Sequence, residues 1–548
     1  MKVLLVRYLD EIEAPRVPKV LNDLRGVLPN LSILYLAAYV RKFGHEVKIF
    51  DAPARIQHLA ENEYIQCLKD FQPSIVGVTT MLETYQGASH ACKLAKRHGA
   101  TTVLGGHGME IYPIDMIDKE FIDYGVVGEG EETFLSLIEA IEKEDAEAIK
   151  AIPGLSYKYR IGIKPLYREG IVAGAPQTVS DLDTIPTLAY DLIDVKSYQS
   201  IFNDFPVMTY MIGRGCPFQC SFCIKNTSDD DVRFRSAKLV VDDIERLVSV
   251  HGIKELVFYD DTFTLHRKQV RAICEELIRR NVKIKWEAVT RIDALIQHDG
   301  IEFLKLMKRA GLVRLRLGVE SGDAELVEVM VKEFSLESVE LAFKRCKEVG
   351  IETAAFFLIA YVNETYEQFK NTVDFAIKID PDYVSFSIAT PYPTTPLYQE
   401  AFDEGLIPAD YWKDFIQGKT FARMPYLVSD AEKRGKIAYQ RFYFRPKFIL
   451  RRMFNSLKNL TYIKNGFKAV LALIYYRLPT SITPGVTRKS RSSEILQTQD
   501  TRPIPDIRVS PDTPALQINP AQKKRGEYVK SKIKEVTSDE FTSIFQQP

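Results

Sequence analysis

The sequence predicts an α/β chain: an N-terminal doubly wound parallel sheet, then a partial barrel of six strand-helix units, a helical C-terminal segment and a disordered tail. Three observations carry this reading. Over residues 1–150, short β-branched runs alternate with helical patterns, the order that yields parallel strands joined by right-handed crossovers. The alternation restarts near Val207 and runs six times. After Leu478 the composition shifts to Pro, Ser, Thr and Gln, too poor in apolar side chains to order the chain.

Each element follows from its local pattern. In the first unit the expected strands are 3–6, 47–50, 75–78, 102–104 and 124–127, short apolar runs suited to burial on both faces, with helices over stretches such as 32–42 and 86–97. Residues 151–205 lose this period and carry turn residues at Pro153-Gly154, Gly174-Ala175-Pro176 and Pro186, which reads as a linker with a small hairpin. The barrel over 206–425 has expected strands at 207–211, 255–259, 284–288, 314–319, 353–358 and 383–387, with helices at 241–250, 268–279, 302–309 and 336–348. Six units leave it incomplete, because a closed barrel of this kind has eight. Residues 426–480 read as helical, and 481–548 as a disordered tail with a short helix over 526–545.

Composition narrows the function. The 548 residues suit three or four units at ~150 each. With 73 basic against 73 acidic side chains, the chain lacks the basic excess of a nucleic-acid binder, and no nucleic-acid partner is expected. Residues 431–470 do hold eleven Lys or Arg against one acid, Glu432, with interleaved aromatics. Helices packed on the barrel with aromatics inward and cations solvated are favoured there over a membrane-surface helix or a platform for acidic substrates. The N-terminal apolar run is too short for a signal peptide, and the run at 469–476 falls far short of the ~20 residues that span a bilayer, so a cytoplasmic protein is expected.

Seven cysteines argue against a disulfide framework: Cys67, Cys92, Cys274 and Cys346 lie singly in helical patterns, whereas Cys216, Cys220 and Cys223 crowd into eight residues. Clustered thiolates suit zinc or an iron-sulfur centre. Zinc is the weaker reading, since a structural site wants four protein ligands and no second Cys or His pair stands at suitable spacing. A cubane used only for electron transfer has four cysteines, so three leave one iron with an open position.

The spacing C-x3-C-x2-C, with Phe222 before the last cysteine, resembles the signature of the radical S-adenosylmethionine superfamily. The resemblance implies a 4Fe-4S cluster on Cys216, Cys220 and Cys223. The amino and carboxylate groups of S-adenosylmethionine chelate its fourth iron, and reduction releases a 5'-deoxyadenosyl radical that abstracts hydrogen from an unactivated carbon. Further segments resemble the family in order. Gly318-Val319-Glu320-Ser321 matches the family's Gly-x-Glu-Ser, which implies that Gly318, Glu320 and Ser321 approach the methionine and ribose parts of the cofactor. Asp260-Asp261-Thr262-Phe263 and Thr290-Arg291-Ile292-Asp293 resemble cofactor-facing segments, with Asp261 and Arg291 as candidate contacts, Arg291 for the carboxylate. A plain reading stands equally beside them: Asp260 or Asp261 caps the next helix, and Asp293 pairs with Arg291. Ala360-Tyr361-Val362-Asn363-Glu364-Thr365 stands where the family has Gly-Leu-Pro-Gly-Glu-Thr, lacking both glycines, which leaves the loop's backbone shape open; Thr394 likewise replaces a common glycine.

The first unit resembles the cobalamin-binding module that precedes the barrel in one subgroup of that superfamily, through Pro29 to Ala38, Gly44-His45-Glu46-Val47, Gly105-Gly106-His107 and Gly128-Glu129-Gly130-Glu131-Glu132-Thr133. Thr79, Gly105, Gly106, His107, Gly128 and Glu129 form the implied cobalamin-facing set, with the glycines leaving strand ends on which a flat ring could rest. Glu129, Glu131 and Glu132 also suit the start of the following helix. Tyr8 to Asn30 contains no histidine, so the Asp-x-His-x-x-Gly ligand to cobalt is missing: either cobalt lacks it or the domain has lost cobalamin. His107 is expected to hydrogen-bond rather than coordinate.

The resemblance thus implies three cofactors: a 4Fe-4S cluster, S-adenosylmethionine and cobalamin. Its implied partners are a small-molecule substrate and an electron donor such as flavodoxin or ferredoxin. The expected reaction is methylation of an unactivated carbon. Oxidative cyclisation or rearrangement without methyl transfer is the alternative, since the subgroup also includes the anaerobic magnesium-protoporphyrin ester cyclase. A cofactor sensor or electron carrier without turnover is the alternative of another class.

Overall fold

A computed structural model describes residues 1–8, 27–55, 60–163, 166–198, 200, 203–224, 232–408, 410–420 and 424–456. All of them fall within one compact body, Met1–Tyr476. The expected tail, its helix over 526–545 and most of the histidine-free loop lie outside the described residues.

The first sheet is built from β1 (Lys2–Arg7), β2 (Glu46–Asp51), β3 (Ile75–Thr79), β4 (Thr101–Gly105), β5 (Tyr124–Val126), β6 (Leu155–Ile163) and β7 (Leu166–Val172) in the order β2-β1-β3-β4-β5-β6-β7. It is parallel from β2 to β5. Val3 to Val6 are all buried because helices cover both faces. Val3 and Leu5 pack with helices α1 (Leu31–Lys42) and α4 (Gly130–Glu142); Leu4 and Val6 pack with α2 (Ala60–Phe71) and α3 (Tyr85–Arg97). Burying each such side chain is worth about 1.5–3 kcal/mol. The chain leaves β1 toward β2 on one side and β3 on the other, and the crevice at such a reversal is where these sheets bind ligands. The hairpin expected within a linker is instead β6-β7, which pairs antiparallel on β5 and carries the sheet past residue 150.

The second sheet runs β15-β14-β13-β12-β11-β8, all parallel, from β8 (Val207–Tyr210), β11 (Glu255–Phe258), β12 (Lys285–Thr290), β13 (Leu312–Glu320), β14 (Glu352–Ile359) and β15 (Tyr383–Ile388). The helices α5 (Ala237–His251), α6 (Arg267–Arg279), α7 (Gly300–Arg309), α8 (Leu336–Val349) and α9 (Tyr366–Ile379) return the chain between strands. Between β8 and β11 a two-stranded ribbon, β9 (Gly213–Arg214) with β10 (Arg233–Phe234), brackets the cysteine loop.

A partial barrel has two free edges, and both are covered. Helix α10 (Ala431–Tyr443) lies on β15: the Tyr439 hydroxyl accepts from Phe386 N at 3.1 Å, and that of Tyr443 accepts from Val384 N at 3.0 Å and donates to Val384 O at 2.9 Å. On β8, the Tyr190 hydroxyl donates to Thr209 O and Thr209 Oγ1 donates to Pro29 O at 3.1 Å. The aromatics of α10 face inward as expected. Its cations are not all solvated, however: Arg434 is buried against the turn after β14. Residues 457–470 of the basic segment lie outside the described residues. Among the described residues no helix is long and apolar enough to cross a membrane.

Candidate active site where two sheets face one chamber

The carboxyl ends of the two sheets meet around one cavity of about 580 Å³. Its walls include Thr79, Gly105, Gly106, His107, Gly128 and Glu129 from the first unit, and Cys216, Cys220, Cys223, Asp261, Arg291, Gly318 and Glu320 from the second. Strands end there because each βα connection turns at the same edge of its sheet.

The three cysteines line the chamber without forming a disulfide, Cys223 being exposed and the others half-buried. Burial raises the Cys220 thiol, with the Lys332 and Arg291 charges opposing it. Cys216 Sγ lies 3.9 Å from Thr262 Oγ1. Among the described residues no three His, Cys, Asp or Glu side chains converge on a single-ion site. A cubane takes each thiolate on a different iron, so soft ligands spread along one wall fit it.

Gly318 and Glu320 explain each other. A Cβ on Gly318 would stand 2.6 Å from Glu320 Oε1 and 3.3 Å from Lys332 Nζ, so glycine leaves room for the carboxylate and its partner. Register slips between Gly318 and Glu320 in the β13-β14 ladder, and Glu320 takes a left-handed backbone at φ 66°. Such a bulge re-aims a side chain at a strand end. Lys332 Nζ sits 3.1 Å from Glu320 Oε1 and lines the same cavity. Sequence reasoning missed Lys332 because it lies in a turn outside any motif.

Ser321 is not brought to the chamber wall. It is fully buried, with Oγ 3.0 Å from Thr372 Oγ1 and accepting from Asp323 N at 3.1 Å, which fixes the turn after β13. Arg291 faces the chamber but is heavily engaged. Nε donates to Asp293 at 2.8 Å, Nη2 to Lys332 O at 2.6 Å, Nη1 lies 3.8 Å from Cys220 Sγ, and the guanidinium covers Phe218 at 3.6 Å. The plain pairing of Asp293 with Arg291 is therefore present. Asp260 caps no helix: Oδ1 accepts from Ile212 N at 3.0 Å and Gly213 N at 2.7 Å, tying the end of β8 to β11. Burial pushes its carboxyl up to about 8 against the pull of those amides.

The loop shape left open by the replaced glycines is left-handed at each of those positions. Ala360, Asn363 and Thr394 have φ of 56°, 57° and 71°, the left-handed region glycine favours. Glu364 Oε2 holds the turn by accepting from Ala360 N at 2.7 Å.

In the first unit the glycines differ in purpose. A Cβ on Gly105 would meet only Val126 at 3.9 Å, so that strand end is open. On Gly106 (φ 102°) it would lie 2.4 Å from Thr80 O, and on Gly128 (φ 85°) 2.4 Å from Gln177 N and O. Backbone approach, rather than room for a ring, demands glycine at those two positions. Glu129 is not left free for a cofactor. It accepts from Arg233 Nη2 at 2.7 Å, Arg214 Nη1 at 2.9 Å and Val179 N at 2.7 Å. Burial works to raise its carboxyl, and the arginines and the Val179 amide outweigh it, so the net shift is downward.

Two family descriptions match the chain: the Radical SAM superfamily over residues 210–376 and the B12 binding domain over 18–138. An uncharacterized methyltransferase of Pyrococcus horikoshii is 31% identical over 482 residues, which cover 87% of this chain and 99% of that protein. The chain belongs to the cobalamin-binding branch of the radical S-adenosylmethionine superfamily. Also similar is the anaerobic magnesium-protoporphyrin IX monomethyl ester cyclase of Rubrivivax gelatinosus, 30% identical over 82% of this chain and 80% of its own. Among solved structures, the cobalamin-dependent S-adenosylmethionine radical enzyme OxsB, with aqua-cobalamin and S-adenosylmethionine bound, superposes with a TM-score of 0.64. Its identity is 19%, covering 85% of this chain and 71% of that one. The radical S-adenosylmethionine methyltransferase TsrM from Kitasatospora setae, with cobalamin and a 4Fe-4S cluster, gives a TM-score of 0.56 at 21% identity, covering 74% and 76%. These likenesses are of fold. As a member of this radical S-adenosylmethionine branch, the chain is an enzyme rather than a passive sensor or carrier, and its cofactors are a 4Fe-4S cluster, S-adenosylmethionine and cobalamin.

Proposed function

We propose that this enzyme transfers a methyl group to an unactivated carbon of a small molecule held in the chamber between the two sheets. The observation that carries the reading is that the cysteine loop and the strand ends of the cobalamin-binding unit open into the same space. When bound, the reduced cluster supplies the electron that splits the S-adenosylmethionine sulfonium into methionine and a 5'-deoxyadenosyl radical, and cobalamin supplies a methyl carrier.

The chain's own residues bind and orient. Cys216, Cys220 and Cys223 hold the cluster. Lys332 and Glu320, 3.1 Å apart, complement the methionine end of the cofactor, Lys332 donating to its carboxylate and Glu320 accepting from the N–H groups of its amine, each giving up part of its present pairing. Lys332 thereby takes the carboxylate role expected of Arg291, whose hydrogen bonds are committed. Asp261 lies exposed at the rim, placed for ribose hydroxyls. Thr79, Gly105 and His107 face the corrin, while Gly106 and Gly128 shape the backbone beneath it. The site residues rest on this geometry and on the family's motifs. A flavodoxin or ferredoxin is the fitting electron source, since each sulfonium cleavage consumes one electron, and a reducing cytoplasm is the compartment in which the thiolate ligands persist.

The test uses anaerobic, cofactor-loaded protein, dithionite and S-adenosylmethionine carrying a labelled methyl group, incubated with candidate substrates. Label in the product with release of both S-adenosylhomocysteine and 5'-deoxyadenosine supports methyl transfer. The likeness to the Rubrivivax cyclase favours a second reading, oxidative ring closure. In that case 5'-deoxyadenosine forms with the product and the label stays out of it. Alanine at Cys220 that still released 5'-deoxyadenosine at the native rate would refute both.

A further inference from the structure

The peptide stretch entering the cysteine loop is fastened from both units at successive residues. Tyr35 of α1 donates its hydroxyl to Met211 O at 3.1 Å. Asp260 takes the amides of Ile212 and Gly213. Arg214 then reaches across to the first unit: Nη2 donates to Glu131 Oε1 at 2.6 Å, Nη1 to Glu129 Oε2 at 2.9 Å, and the guanidinium lies over the Tyr35 ring at 5.1 Å. Its ladder partner Arg233 donates to Glu129 Oε1 at 2.7 Å and Oε2 at 3.1 Å. All four ionic side chains are at most 15% exposed. Two residues after Arg214 comes Cys216; one residue before Glu129 comes Gly128, on the opposite chamber wall.

Stability alone does not account for such a network, because an apolar patch of equal volume commonly serves as well as buried ion pairs. A fork of guanidinium hydrogen bonds instead fixes direction and distance. We propose that Glu129 and Glu131 are positioning residues that act through Arg214 to set the separation between the cysteine loop and the cobalamin-facing wall. They hold the radical source and the methyl carrier at one working distance. This rests on the function proposed above. Loosening the network lets radical generation proceed with the substrate or the carrier out of register, so cleavage and transfer uncouple.

The experiment compares wild type with Glu129→Gln, Glu131→Gln and Arg214→Lys as full-length protein loaded with cluster and cobalamin. Both centres are made paramagnetic by reduction, and pulsed electron paramagnetic resonance reads their spin-spin interaction. Iron and corrinoid content are measured in parallel. The expected result is near-native content with an interaction distribution at least twofold broader in both glutamine variants, and a ratio of 5'-deoxyadenosine to S-adenosylhomocysteine raised at least threefold. Arg214→Lys, which keeps charge but loses the fork, falls between. A variant with full cofactor content and the wild-type distribution overturns the proposal. Should a variant lose corrinoid, hydrogen exchange of the apo chain over 211–216 decides: at least tenfold faster exchange supports the clamp and unchanged exchange refutes it. Wild-type protein that retained neither cofactor would instead sink the proposed function, so the two failures are distinguishable.

Discussion

Replacing Arg434 by methionine probes how α10 holds the turn after β14. Arg434 Nη1 donates to Glu364 Oε2 at 2.9 Å and to Glu364 O at 3.0 Å, and its Nε donates to Asp430 at 2.7 Å. The Glu364 side chain is fully buried; burial raises its carboxyl, with the Ala360 amide and Arg434 pulling against that rise. Methionine fills much of the space and removes the charge, leaving a buried carboxylate with the Ala360 amide as its donor. Breaking one side of a buried pair costs about 3–5 kcal/mol. At roughly 2 °C per kcal/mol for a unit of this size, the melting midpoint falls by about 6–10 °C. Scanning fluorimetry of the apo chain at neutral pH and fixed scan rate reads this shift. Adding Glu364→Gln, which removes the stranded charge but keeps an acceptor for Ala360 N, is expected to recover at least half of it. A single variant within about 1 °C of wild type, or a double variant as low as the single, would show that the pair is not what fastens this turn.

Three further outcomes follow from local geometry. Asp260 is pushed up to about 8 by burial, so the folded chain keeps a proton that the unfolded chain loses near pH 4. Stability from this group is fully present below that point and declines as pH rises through about 8. Asp260→Asn should flatten this part of a midpoint-versus-pH series; an unchanged slope contradicts the assignment. Thr394, a β-branched residue at φ 71°, and Ala360 at φ 56° are strained. Glycine at either should stabilise by about 1 kcal/mol in thermal melts, and lower midpoints in both would refute this. Gly106→Ala places a Cβ 2.4 Å from Thr80 O. Loss of cobalamin retention with an intact cluster is expected, as read by corrinoid absorbance after desalting; full retention would show that the loop yields.

The parallel strands and the thiol triad were legible because both are written locally. Val3 to Val6 is a buried run in the sequence itself, and Cys216 to Cys223 spans one loop. What escaped was whatever depends on residues far apart in the chain. Glu129 looks like a helix-start carboxylate until Arg214 and Arg233, 85 and 104 residues away, are seen to claim it. Lys332 carries no motif and enters the chamber through a turn whose neighbours Val331 and Glu333 both have positive φ. Ser321 shares a four-residue motif with Gly318 and Glu320, but the backbone turn at Glu320 gives its hydroxyl to Thr372, a partner fifty-one residues away that the motif does not contain. The aromatic group Tyr411, Trp412 and Phe415, which packs on the α2-α3 side of the first sheet, had no local signal linking it to strands some three hundred residues earlier.

The phenol groups that cover β15 also govern where this chain can be shortened. A version ending before Ala431 would strip Tyr439 and Tyr443 from the amides of Phe386 and Val384 and bare an apolar strand margin. Such a margin recruits strands from neighbouring molecules. Self-association, rather than simple loss of activity, is therefore the failure to anticipate from truncation here, and the safe cut lies beyond Arg451, since Phe448 packs on Tyr443 and Arg445 and Arg451 hold Asp380.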